Sequence, residues 1–147
     1  LADLGLVRRL VSADHGLAVA ATARPDGSVH ASLVNAGLVI DPSRDEPVVG
    51  FVVSGSAHKL RLLRASGSAT VVWRAGWEWV AVEGPVRLIG PDDPPGAADP
   101  GDVPALLRAV FVAAGGTHDD WAAFDRVMAD ERRVAVLVDA ERITSNS

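Results

Sequence analysis

The stretch Val52-Val53-Ser54-Gly55-Ser56-Ala57-His58-Lys59-Leu60-Arg61-Leu62-Leu63-Arg64 gathers the residue types best suited to holding an anion. A β-branched apolar run passes through a small Ser/Gly turn straight into a basic amphipathic helix. The start of a helix leaves backbone N–H groups unpaired and carries the positive end of the helix dipole. With hydroxyls and a lysine at the same point, the chemistry is that of a phosphate site. The plainest alternative is a capped helix whose Lys59, Arg61 and Arg64 lie in solvent. Lys59 in the first turn opposes the helix dipole, however, and an anion there would relieve the conflict.

The composition bounds what such a site serves. At 147 residues the chain is the size of one domain, expected to run from 1 to 147. Apolar residues at 48% and charged residues at 22% describe an ordinary globular protein rather than a disordered one. A net charge of −5 with no basic stripe argues against nucleic acid as a partner. The absence of cysteine excludes disulfides, thiolate metal sites and cysteine nucleophiles. No apolar run has the length of a membrane helix and no signal-peptide pattern opens the chain, so a cytoplasmic protein without a membrane partner is expected. His118-Asp119-Asp120 reads as a helix N-cap with first-turn acids rather than a metal site. No Gly-x-Ser-x-Gly turn supports a Ser/His/Asp triad, and no catalytic side chain stands out.

The elements that must position the anion site follow from periodicity. Leu4 to Val11 has helical spacing. Leu17 to Ala23 and Val29 to Ile40 read as a hairpin around Arg24-Pro25-Asp26-Gly27-Ser28. After a polar turn over Asp41 to Glu46, a third strand covers Val48 to Val53, and a helix runs from about Ser56 to Ala65. Ala69 to Arg74 is a fourth strand and Trp77 to Ile89 a long fifth, with a bulge or bend at Gly84-Pro85. Gly90 to Val103 reads as a loop, Pro104 to Ala114 and Asp119 to Arg132 as helices, and Val134 to Val138 as a last strand. The fold class is mainly β with peripheral helices, in the form of a small barrel.

In this order, several phrases resemble the flavin and deazaflavin oxidoreductases of the pyridoxamine 5′-phosphate oxidase-like split β-barrel family, most of all its small mycobacterial-type members that use coenzyme F420. They are Ala20-Ala21-Thr22-Ala23-Arg24-Pro25-Asp26-Gly27-Ser28, Lys59-Leu60-Arg61-Leu62-Leu63-Arg64 and Gly76-Trp77-Glu78-Trp79-Val80-Ala81-Val82-Glu83-Gly84, followed by Asp120-Trp121, Asp130-Glu131-Arg132-Arg133-Val134 and Glu141-Arg142-Ile143. The resemblance implies a split barrel that forms a homodimer with cofactor sites at the subunit interface. It places Ser32, Val34 and Asn35 against the cofactor ring, Val53, Ser54 and Lys59 around the ribityl chain and phosphate, and Trp77 and Trp79 reaching in from the other subunit. Arg61 and Arg64 would meet the anionic tail of a deazaflavin.

The implied activity is hydride transfer between F420 and a small, unsaturated organic substrate. In such chemistry the cofactor carries the reaction and the protein supplies position and electrostatics. FMN in place of F420 is the alternative enzyme; a protein that holds a flavin or tetrapyrrole without turnover, or binds no cofactor, is the alternative class. The chain departs from the family's stronger phosphate binders at Val53, where a hydroxyl residue is often found, and at Ala57, where an arginine is. Ser54, Ser56 and His58 are the available substitutes, and a histidine would make binding fall as pH rises through its pKa.

Overall fold

A computed structural model describes residues 3–93 and 103–147. Helix α1 (Leu4–Ala13) starts where the Asp3 carboxylate accepts the Leu6 N–H at 2.9 Å, and it buries Leu6, Val7, Leu10 and Val11. Strands β1 (Leu17–Ala23) and β2 (Val29–Asp41) form the expected hairpin. Strand β3 (Glu46–Val53) leads to α2 (His58–Ser66), which ends at Gly67 in the left-handed conformation with its N–H on the Leu63 carbonyl. Strands β4 (Ser68–Ala75) and β5 (Glu78–Ile89) follow, then α3 (Val103–Ala113), α4 (Trp121–Asp130), β6 (Val134–Val138) and β7 (Arg142–Ser145). Most of the loop expected over Gly90 to Val103 lies outside the described residues. No helix among those described is long and apolar enough to cross a membrane.

All strand pairings are antiparallel, in the order β4-β1-β2-β3-β6-β5-β7, and a further β4–β5 pairing closes six of the strands into a barrel. Inside it, alternate residues of each strand meet in one core that includes Val34, Ala36, Phe51, Val53, Val71, Trp73, Val80 and Val136. The fully buried Trp73 indole donates to the Ala36 carbonyl at 3.0 Å, which satisfies its one polar atom. Leu60 and Leu63 of α2 join this core from one end of the barrel. A second core lies on the outer face, where Leu106, Leu107 and Val110 of α3 and Phe124 of α4 cover Val39, Val48, Ala135 and Leu137.

The sequence reading omits β7, whose short Arg-Ile-Thr-Ser run has exposed alternate residues. β7 continues the edge that β6 begins: Val138 pairs with Val86, the chain bulges over 139–141, and Arg142 pairs with Glu83. Gly84 sits opposite the bulge, and a Cβ there would lie 2.0 Å from the Asp139 carbonyl oxygen. The Gly84-Pro85 signal therefore marks the place where β5 exchanges one neighbour for another.

Candidate functional site

The barrel is split between β2 and β3. Their ladder runs from Asp41–Glu46 to Ala36–Phe51 and stops there; beyond it, residues 29–35 of β2 pair with β1 alone, and Val52 and Val53 of β3 with β6 alone. One edge of β2 over 29–35 thus has no strand partner among the described residues. The edge offers backbone donors and acceptors to whatever lies in the gap.

At one end of this gap sit the turn after β3 and the start of α2. Gly55 donates to the Glu131 carbonyl at 3.1 Å, and a Cβ at Gly55 would stand 2.5 Å from the Arg132 carbonyl oxygen, so the turn is pressed against the chain between α4 and β6. Ser54 and Ser56 share a hydroxyl contact at 3.2 Å. Ala57 is the N-cap residue of α2 and provides no side-chain cap; the first turn holds no acid. The helix begins at His58 rather than near Ser56. Ser56 and Ala57 stay extended or turned, and the α2 N-terminus has neither of the usual stabilisers, a capping side chain or an anionic first-turn residue.

Across the gap, the inward face of β2 brings His30 and Ser32 to the same end. His30 Nε2 and Ser32 Oγ are both shut off from solvent and lack a hydrogen-bond partner. The His30 ring meets His58 edge-on with centroids 5.8 Å apart. Burial, then the charges of Arg24, His58 and Lys59, push the His30 imidazole below its ordinary pKa. Burial likewise pushes the Lys59 ammonium down, and no carboxylate among the described residues pairs with it. Desolvated cationic groups, orphaned polar atoms and an uncapped helix start are thereby gathered without an acid to neutralise them. An anion of phosphate type supplies what each of them lacks.

The residues expected at the site fall into three groups. Ser54 lies in the turn before α2 and Lys59 in its first turn; Ser32, expected against the ring, lies on β2 on the same strand face as His30, whose ring meets His58. Val34 and Val53 flank the split, but at 8% and 3% exposure their side chains belong to the barrel core, and only their backbones border the groove. Asn35 lies at the far end, exposed, with its amide donating to the His15 carbonyl at 3.0 Å. Arg61 is exposed and contacts His58 Nδ1 at 3.1 Å. Arg64, by contrast, is engaged by Asp93 at 2.8 and 3.0 Å, a carboxylate with which an anionic tail would have to compete.

Trp77 precedes β5 in a turn and is 92% exposed; with Trp79, Leu17, Val19 and Leu33 it lines an apolar concavity on the outer face of the sheet. Within one chain that surface is separate from the groove. His30 is the residue the sequence reading passed over. Its place two residues from Ser32 on the same strand face was the available signal.

No protein-family model matches the chain. Solved structures do. A pyridoxamine 5′-phosphate oxidase-related, FMN-binding protein from Nostoc punctiforme is 15% identical, aligned over 96% of this chain and 79% of its own, with a TM-score of 0.64. An F420 reductase is 16% identical over 93% and 94% of the two chains, with a TM-score of 0.61. A heme binding protein from Mycobacterium smegmatis is 18% identical over 99% of this chain but 58% of its own, with a TM-score of 0.59. At these identities the likeness establishes a fold, the split β-barrel that these proteins share.

Proposed function

We propose that this protein is an oxidoreductase that binds coenzyme F420 at the β2–β3 split and transfers a hydride between it and a small unsaturated organic substrate. The observation that carries the reading is the pair of buried, unpartnered atoms His30 Nε2 and Ser32 Oγ beside Lys59 and the uncapped start of α2. Leaving such groups unmade costs about 1–3 kcal/mol each, a cost that persists where a ligand repays it. In this reading Lys59, Ser54, Ser56 and the first N–H groups of α2 hold the phosphate, and His30 and Ser32 donate to it from the opposite wall. The free edge of β2 faces the polar rim of the ring. The bound deazaflavin supplies the hydride chemistry, and the chain supplies position and a desolvated pocket.

The exposed Arg61, free to meet an anionic tail, supports F420 over FMN, and an F420 reductase is among the structural relatives. FMN is the second reading, supported by the phosphate chemistry of the site and by the FMN-binding structural relative. The paired His30 and His58 favour, as a third, a flavin or tetrapyrrole carrier without turnover. We further propose a homodimer. The exposed Leu33 at 65%, Val19 at 41% and Trp77 at 92% form an apolar face of the kind that a second copy covers.

Titration of purified protein with each cofactor tests this. Quenching of deazaflavin fluorescence with saturation at one cofactor per chain is the expected result. A yellow protein with an FMN spectrum would move the assignment to FMN, and a Soret band with haem would move it to the carrier. Binding of none of the three would overturn the cofactor reading.

A further inference from the structure

A cavity of about 540 Å³ opens at the other end of the split, between the barrel wall and the α3–α4 pair. Its size is that of a small-molecule site. Val52 contributes from the barrel, Phe111 from α3, and Phe124 and Met128 from α4, so the walls are apolar and flat-sided. They are also held in place. The rings of Phe111, His118, Trp121 and Phe124 contact one another with centroids 5.0 to 6.3 Å apart. Arg108 lies 5.5 Å from the Trp121 ring and forms a bidentate pair with Asp125 of α4. The last turn of α3 is anchored on β2, where a Cβ at Gly37 would stand 2.1 Å from the Ala113 carbonyl oxygen.

The polar groups at this cavity are few and mostly donors. His118 Nδ1 accepts the Asp120 N–H at 3.0 Å, which leaves Nε2 as the donor. Asn35 spends one N–H on His15 and keeps its carbonyl. Apart from the two histidines, Arg133 is the only ionisable residue among the described residues that line the cavity. Its Nε and Nη2 both rest on one oxygen of Glu131, at 2.9 and 2.6 Å, and Glu131 itself is exposed and lies outside the lining.

We propose that this cavity binds a flat conjugated carboxylate, its ring system against Phe111, Phe124 and Met128 and its carboxylate on Arg133 in place of Glu131. Aromatic and thioether walls favour a planar π-system. A guanidinium at the edge of a slot lined by no acid among the described residues selects one anionic group with bidentate geometry. Glu131 is then a built-in competitor that holds the guanidinium when the cavity is empty. That the bound molecule is the hydride-transfer substrate rests on the reading above, since Asn35 borders both the cavity and the free edge of β2; the binding itself does not rest on it.

The test is calorimetric titration of the cofactor-free protein with naphthoate and with neutral naphthamide. Naphthoate is expected to bind at one site per chain. Arg133→Gln should weaken naphthoate roughly tenfold or more while leaving naphthamide within about twofold, and Glu131→Gln should tighten naphthoate. Ala123→Phe, which fills the cavity from the surface of α4, should abolish both. Absence of naphthoate binding to the unmodified protein, or an effect of the same sign from Arg133→Gln and Glu131→Gln, would overturn the proposal. The opposed pair decides the matter even if Ala123→Phe fails to fold. If naphthoate binds as described while no cofactor does, the cavity stands as a carboxylate site and its role as a redox substrate pocket falls.

Discussion

Two polar clusters sit at the margins of the same barrel and are built on opposite plans. Asp41 at the end of β2 has no exposed surface, yet its carboxylate is met by Arg87, by the Ser43 hydroxyl and N–H at 2.7 and 2.8 Å, and by Arg44 at 3.0 Å. Burial alone would raise its pKa; the hydrogen bonds from Arg87, Ser43 and Arg44 outweigh it and hold the carboxyl well below the usual carboxylate range. At the opposite end of β2, His30 and Ser32 are as cut off from water at their polar atoms and have no such partners. Around Asp41 the carboxylate is fully met, although Arg87 Nε is itself buried without a partner; at His30 and Ser32 the unpartnered atoms are the ones that the proposed function gives to a ligand.

The largest effect expected from this contrast is on stability. Asp41→Ala removes the buried carboxylate that Arg87 and Arg44 share and should cost about 3 kcal/mol, at the low end for a broken buried pair because both arginines reach solvent and keep Asp139 as a second partner. Urea unfolding measures it, and a loss under about 1 kcal/mol would break the contrast from the structural side. Its acid sensitivity follows the same logic. Asp41 is held below its ordinary pKa of about 3.9, so its contribution is complete above that range and drains away as pH falls through it.

Next in size is cofactor affinity. Lys59→Ala should weaken deazaflavin or FMN binding by about tenfold or more, as expected for a lost charge-assisted hydrogen bond, with the midpoint of urea unfolding nearly unchanged. Fluorescence titration of the variant checks the first half and equilibrium unfolding the second. An unchanged dissociation constant would return Lys59 to the solvated helix face.

Ser32→Ala sharpens the comparison because its two readouts should move in opposite directions. Removing an orphaned hydroxyl should leave the free protein as stable or up to about 1 kcal/mol more so, while weakening cofactor binding several-fold. If both stability and affinity fall, Ser32 has a partner within the fold and is structural.

The smallest expected effect is of pH on binding. His30 is held below its ordinary pKa of about 6.5 in the free protein, so the unfolded chain takes up its proton first and this part of stability is lost as pH falls below that value. A bound phosphate favours the imidazolium, so binding takes up protons. Cofactor affinity should therefore rise by a few-fold from pH 8 to pH 6, and His30→Phe should flatten the profile. A flat profile in the unmodified protein would show that His30 does not face the anion.

Much of this was legible in the chain itself. Apolar and β-branched runs between polar turns located the first five strands, and His118-Asp119-Asp120 marked the start of α4 because capping chemistry is local. The Ser54 to Lys59 turn was legible as a candidate anion site for the same reason: its donors are neighbours along the backbone. Glu131 and Arg133, also near neighbours, were seen as part of a resemblance rather than as a pair with a task.

What the sequence could not decide is which distant groups meet. His30 is brought against His58 because the β2–β3 ladder stops at Ala36–Phe51 and the start of α2 lies at the open end. Arg64 acquires a carboxylate partner because Asp93 is brought to it from 29 residues away. Composition and periodicity specify which face of an element is buried; they do not specify which polar atoms are left there without a partner, since that depends on neighbours supplied by other elements.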